Sequence, residues 1–281
     1  MIEQSTPQKF TNVNGYTISY IEYGPHDDNN KTLILLQSID VSAELWWSAV
    51  TSTLSRHYRI IIPDVIGFGY SDKPVVSIDN IKEYLRENTM DFFINDFFRP
   101  FLDNLDISKA SIIGSSFLGG HIATEFAIRF TRRVENLVLV SPGRVRTASP
   151  VPDRYILASL YPEHQAVYDS FREMVYDPDS VVISEEIVMD FRKKRMLPNA
   201  KYAFMSTLLD IRYAPPLTGR LSNITAPTLI VWGDKDRIVP LQYASEYGEI
   251  PESELVVIEN CGHLPYIERP TTFNRILSEF L

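Results

Sequence analysis

The chain has 281 residues, 44 % of them apolar and 22 % charged, with a formal net charge of −9. Such values belong to a globular protein long enough to bury a substantial core, as one large α/β domain or two small ones. The acidic balance argues against a nucleic-acid or anionic-membrane partner, and the single cysteine, Cys261, excludes an intrachain disulfide or a cysteine-based metal cluster.

The amino end, Met1-Ile2-Glu3-Gln4-Ser5-Thr6, lacks a basic region followed by an apolar core, and no apolar run approaches a membrane span. A cytoplasmic setting is expected. Asn14-Gly15 then separates two short β-like runs, a hairpin signal that predicts an antiparallel entry to a sheet. Buried strands are predicted at Thr32–Gln37, Tyr58–Pro63, Ala110–Gly114, Asn136–Ser141, Pro227–Trp232 and Glu254–Glu259. Their Ile, Leu and Val runs do not alternate with polar residues, as expected when both faces are covered. Helices are predicted over Ala43–Arg56, Asn88–Leu105, Phe117–Thr131, Leu241–Tyr247 and Thr271–Leu281. The alternation predicts an α/β fold: a mainly parallel, eight-stranded sheet with helices on both faces.

Between Gly143 and Ala226 the rhythm breaks. This stretch is rich in prolines (Pro150, Pro152, Pro162) and aromatics (Tyr155, Tyr161, Phe171, Phe191, Phe204) and carries no convincing strand. It predicts a helical cap, residues 144–225, inserted into a core made of residues 1–143 and 226–281. It follows a strand on the carboxyl-end side, where ligands bind in such sheets. A helical layer packed away from any site is the plainer alternative. Within it, Arg192-Lys193-Lys194-Arg195 closes a helical stretch opened by Ser184-Glu185-Glu186. Acids first and bases last complement the helix dipole, so the run is expected to be a solvated helix end.

The chemistry concentrates in three places. Gly114-Ser115-Ser116-Phe117-Leu118-Gly119-Gly120 follows a strand-like run and precedes a helical one, the setting that raises a nucleophilic serine on a tight turn. Asp236 lies in Gly233-Asp234-Lys235-Asp236-Arg237-Ile238-Val239-Pro240, and His263 in Asn260-Cys261-Gly262-His263-Leu264-Pro265. A serine hydroxyl needs a base to take its proton and a carboxylate to orient that base. Ser116, His263 and Asp236 are the candidates, in the chain order of α/β-hydrolases. Taken singly, Ser116 reads equally as a helix N-cap, Asp236 as a turn residue and His263 as a loop cap. Three segments in the order one mechanism demands outweigh those readings. An oxyanion needs backbone donors, expected from the N–H groups of Phe117 and Ile39. His26, His57, His121 and His164 lack a telling acidic partner or metal-ligand spacing, so neither a metal nor a cofactor is expected.

On these residues the chain resembles the α/β-hydrolase superfamily over nearly its whole length. Asp64-Val65-Ile66-Gly67-Phe68-Gly69-Tyr70-Ser71-Asp72-Lys73-Pro74, the serine turn, Gly233–Pro240, and Gly262-His263 with Glu268-Arg269-Pro270 carry the resemblance. The segment from Val175-Tyr176-Asp177-Pro178 through Leu208 is similar to caps of hydrolases that split ring-cleavage products of aromatic compounds, and of related carboxylesterases. Two positions depart from the superfamily. Leu118 stands where G-x-S-x-G has its second glycine, which suggests one inserted residue near Leu118. Gln37-Ser38-Ile39-Asp40 stands where relatives carry His-Gly, placing a carboxylate near the expected oxyanion. The resemblance implies a serine hydrolase of hydrophobic carboxylic esters. Hydrolysis of a carbon–carbon bond in a vinylogous diketo acid is a second reading, which needs a cation such as Arg144, Arg146, Arg154 or Arg172. A non-catalytic ligand binder of the same fold is a third. Ser116 argues against the fold's aspartate-nucleophile enzymes.

Overall fold

One eight-stranded sheet runs through the protein in the order β1-β2-β4-β3-β5-β6-β7-β8. The computed structural model describes residues 7–26, 31–37, 43–75, 90–143, 145, 151–179 and 183–281. The strands are β1 (Lys9–Val13), β2 (Tyr16–Tyr23), β3 (Thr32–Leu36), β4 (Arg59–Pro63), β5 (Ala110–Ser115), β6 (Val134–Val140), β7 (Thr228–Gly233) and β8 (Ser253–Ile258). The β1–β2 and β2–β4 pairings are antiparallel, and every other pairing is parallel. The hairpin turns at Asn14-Gly15, both residues with positive φ.

The central strands are buried on both sides, which is why their apolar runs do not alternate. β8 departs from that expectation. It is the edge strand, and Leu255 and Val257 are exposed on it.

The helices in chain order are α1 (Ala43–Trp46), α2 (Ser48–Leu54), α3 (Arg99–Asn104), α4 (Ser116–Arg129), α5 (Asp153–Leu160), α6 (His164–Arg172), α7 (Glu185–Arg195), α8 (Ala200–Tyr213), α9 (Pro265–Glu268) and α10 (Pro270–Phe280). The helix predicted over Ala43–Arg56 breaks at Trp47. Two adjacent indoles take different walls: Trp46 meets Phe171 edge-on, and Trp47 lies over Tyr266 at 4.3 Å. The stretch before α3, Phe92–Phe98, winds as a wide π-turn and gives way to α geometry near Pro100, which has no N–H to donate. Leu241–Glu249 is a tighter 3₁₀ helix rather than an α-helix. Between β6 and β7 the described residues form α5 to α8 and contain no strand. No helix among the described residues is long and apolar enough to cross a membrane.

Candidate active site

The chain turns from β5 into α4 at Ser116, whose φ of 56° lies in the left-handed region. Such backbone strain in a residue other than glycine concentrates at functional turns. Close packing holds the turn. A Cβ on Gly114 would stand 2.5 Å from the Gly119 carbonyl oxygen, and one on Gly119 would stand 2.4 Å from that of Leu36. α4 runs unbroken from Ser116 through Leu118, with no irregularity in the helix where the sequence pattern departs from the superfamily. Leu118 is fully buried, and the close approach falls instead on Gly119.

Ser116, His263 and Asp236 form one hydrogen-bonded line. His263 Nε2 is 2.8 Å from Ser116 Oγ, and His263 Nδ1 is 2.8 Å from Asp236 Oδ2. The other carboxylate oxygen, Oδ1, accepts the N–H of Ile238 at 2.8 Å and of Val239 at 2.9 Å. The Asp236 carboxylate is thus fixed by backbone donors. With Nδ1 protonated toward it, Nε2 is left to accept the serine proton. Asp234, two residues earlier, is occupied elsewhere: it accepts the N–H of Cys261 and pairs with Lys235. All members of the line are nearly withdrawn from water, which strengthens each charge interaction among them. Phe117 supplies the backbone N–H next to the serine at the start of α4, and its ring lies 6.0 Å from that of His263. Ile39, with Ser38 and Asp40, lies outside the described residues.

Glu268 explains the Glu268-Arg269-Pro270 motif. Its Oε2 accepts the N–H of Gly262 and of Tyr176, both at 2.8 Å, and its Oε1 that of Leu264 at 3.1 Å. One buried carboxylate therefore clamps the backbone on both sides of His263, whose own N–H donates to the Met174 carbonyl at 2.7 Å. An amide cannot accept on both sides. Glu268→Gln is expected to cost about 2–3 kcal/mol of stability, the penalty of stranding one buried donor or more. It should also lower kcat more than it raises KM; chemical denaturation and steady-state kinetics read the two, and unchanged values in both would remove this role.

The remaining sequence candidates separate clearly. Cys261 is fully buried, and burial pushes its thiol far above the usual range, so it is no nucleophile. His164 meets Glu185 at 2.9 Å across 21 residues, a pairing no sequence spacing signals, whereas His121 lies 4.0 Å from Glu125 at the helical i, i+4 spacing that the sequence reading passed over. Burial pushes His121 down to about 4 and keeps it neutral. Glu125 is held mainly by Arg129 and Arg220.

A narrow pocket with about 10 Å³ of free volume, on the order of one water, adjoins Ser116 and His263. Phe117, Ile238, Leu264 and Tyr266 line it from the sheet side, and Val151, Pro152, Tyr155 and Met174 from the helical insertion. Tyr266 is fully buried and ties the pocket to the serine turn. Its hydroxyl is 3.1 Å from Ser115 Oγ and 3.4 Å from Gln37 Nε2.

Behind Tyr155 stands a residue the sequence reading misplaced. Arg195 is 1 % exposed, not solvated. Its guanidinium lies 4.3 Å from the Phe204 ring centroid, 5.1 Å from Phe191 and 5.4 Å from Phe68, and donates to the Tyr155 hydroxyl at 3.5 Å. Lys194 is also buried and pairs with Asp190. A signal was present: Ile187, Phe191 and Arg195 recur every four residues, so the inward stripe of α7 runs into the arginine.

The alpha/beta hydrolase family model matches residues 38–276. The chain belongs to that family. It is 30 % identical to a 2-hydroxy-6-oxononadienedioate/2-hydroxy-6-oxononatrienedioate hydrolase of Burkholderia vietnamiensis, over 99 % of this chain and 96 % of that one. A 2-hydroxy-6-oxo-6-phenylhexa-2,4-dienoate hydrolase of Burkholderia cepacia is 27 % identical over 100 % of this chain and 98 % of its own. Among solved structures, the meta-cleavage product hydrolase CumD of Pseudomonas fluorescens superimposes with a TM-score of 0.77 at 27 % identity, covering 97 % of both chains. These relatives favour the carbon–carbon reading over the ester reading.

Proposed function

We propose that this alpha/beta hydrolase splits the carbon–carbon bond next to the 6-oxo group of a 2-hydroxy-6-oxo-dienoate, with Ser116 as nucleophile, His263 as base and Asp236 as its partner. The names of its relatives support the substrate class. The observation that carries it to this chain is the buried Arg195, which stands behind the pocket residue Tyr155 and donates to its hydroxyl at 3.5 Å. A dienoate brings a carboxylate that needs a cation, which a simple ester does not, and Arg195, held by three aromatic rings and the Tyr155 hydroxyl, is a cation of the insertion suited to that pairing.

Carbon leaves a tetrahedral centre only as a stabilised carbanion. In its keto form a 2-hydroxy-6-oxo-dienoate spreads the departing electron pair toward its C2 carbonyl. Ser116 Oγ adds to C6 as His263 takes its proton, and the oxyanion receives the N–H of Phe117. The C5–C6 bond then breaks, the carbon fragment takes the proton held by His263, and water activated by the His263 so restored releases the acyl group from Ser116. On this reading residues 144–225 act as a cap over the site: they bring Tyr155 and Met174 to it, set Arg195 behind Tyr155, and shield it from water.

The pocket also ranks the substrates. Apart from His263, none of its described lining residues is ionisable to a cation. A 6-methyl dienoate should therefore be turned over at least about tenfold more efficiently than a dienedioate, whose second carboxylate would be buried without a partner. Loss of the dienolate absorbance gives kcat/KM for both. Preference for the dienedioate would overturn the pocket assignment, and hydrolysis of aryl esters with no action on either dienoate would overturn the proposed function.

A further inference from the structure

One tyrosine joins the histidine segment to the serine turn by a route that no reacting proton follows. Tyr266 stands on α9, three residues after His263, and is fully buried. Its ring packs against Trp47 at 4.3 Å and edge-on against Phe273 at 5.9 Å. Its hydroxyl lies at the carboxyl ends of two neighbouring strands, β5 and β3. There it shares a hydrogen bond with Ser115 Oγ at 3.1 Å and accepts one from Gln37 Nε2 at 3.4 Å. Ser115 directly precedes the strained Ser116. Glu268 does a different job, since the backbone it holds, at Gly262, Leu264 and Tyr176, is not that of the serine strand.

We infer that Tyr266 is a positioning residue for the second half of the reaction: it keeps His263 in register with the serine turn after Ser116 has been acylated. The inference rests on the Ser116 acyl-enzyme of the proposed function. In the resting site the Ser116 hydroxyl donates to His263 Nε2, and that bond holds the pair at 2.8 Å. Acylation removes it. Oγ becomes an ester oxygen with no proton, and His263, having passed its proton to the leaving fragment, has none on Nε2. Yet His263 must then take a proton from a water set against the same acyl group. The bond between Tyr266 and Ser115 transfers no proton, so acylation leaves it intact. It ties the same two segments, one residue from the nucleophile and three from the base. A misplacement of about 1 Å costs such a step up to about 10²-fold.

Tyr266→Phe removes the hydroxyl and keeps the ring contacts, and an aryl acetate separates the two half-reactions. Turnover, kcat, should fall about tenfold, the upper end for one neutral hydrogen bond. The ratio kcat/KM, which reads acylation, should stay within about threefold, so that KM falls with kcat. The pre-steady-state burst of aryl alcohol should approach one equivalent per chain that a fluorophosphonate labels at Ser116. Ser115→Ala should reproduce this pattern, and the double variant should be no worse than either single one. Loss of folded protein gives the opposite signature, a burst that shrinks along with kcat, and that result in both single variants would overturn the inference. So would equal losses in kcat and kcat/KM, a kcat within about twofold of the unmodified protein in Tyr266→Phe, or losses that multiply in the double variant. Failure of the fluorophosphonate to label Ser116 in the unmodified protein would instead overturn the acyl-enzyme reading, and this inference with it.

Discussion

Replacing Ser116 with alanine should lower turnover by about four orders of magnitude or more and leave the fold intact. In serine hydrolase triads, deleting the nucleophile alone costs about as much as deleting the whole triad. Here the hydroxyl is the group on α4 hydrogen-bonded to His263 Nε2, at 2.8 Å. Stability should hold, because alanine keeps the side-chain volume of the turn and loses one hydrogen bond. Ser116→Gly sharpens the control: glycine adopts a φ of 56° without strain, so its melting temperature should not fall below that of Ser116→Ala. Ser115→Ala separates the neighbours, since Ser115 Oγ faces the Tyr266 hydroxyl rather than the histidine. Turnover within tenfold of the unmodified protein in Ser116→Ala, measured on a dienoate and an aryl ester, would end the assignment. So would fluorophosphonate labelling at any other residue.

The sheet was legible because its central strands obey one local rule. A strand covered on both faces needs no polar alternation, and β3 to β7 carry none. The rule fails at β8, because edge position is set by strand order and leaves no trace in six residues. The serine turn was legible for the opposite reason: its meaning lies in contiguous residues. Even there the pattern misled at Leu118, since the glycine that matters is the one facing the Leu36 carbonyl, and that contact joins α4 to β3. Asp236 over Asp234 could be ranked by order but not decided. The choice rests on which carboxylate the Ile238 and Val239 N–H groups hold.

Residues whose roles come from distant partners stayed hidden. Tyr266 follows His263 by three positions and carries no motif, yet its hydroxyl reaches Ser115 and Gln37. Glu268 was visible as part of a motif, but its three backbone donors come from two segments. Arg195 is the sharpest case. Four consecutive bases at the end of a helix read naturally as solvated, and a charge-dipole argument rewards that reading. Helical periodicity divides the run instead: Lys193 is exposed, while Arg195 falls on the Ile187–Phe191 stripe and is buried among aromatic rings.

That placement supports the second large effect. Arg195→Met should lower kcat/KM for a 2-hydroxy-6-oxo-dienoate about 10- to 150-fold while leaving aryl acetate hydrolysis within about threefold. The range is that of one charge-assisted hydrogen bond, about 1.5–3 kcal/mol. Methionine is chosen because it fills the space between Phe68, Phe191 and Phe204 without a charge, so packing is largely kept. Replacing a buried cation with an apolar side chain of similar size is often neutral or stabilising, which separates this variant from a truncation to alanine. Arg195→Lys keeps the charge but loses the planar fork, and should fall between the two. The comparison of substrates decides the outcome. A loss confined to the dienoate places its carboxylate at Arg195. Equal losses on both substrates, together with a lower melting temperature, would make Arg195 a structural tie between α7 and the loop carrying Phe68. An unaffected dienoate would leave the carbon–carbon reading without its anion site, and the ester reading would then explain the pocket better.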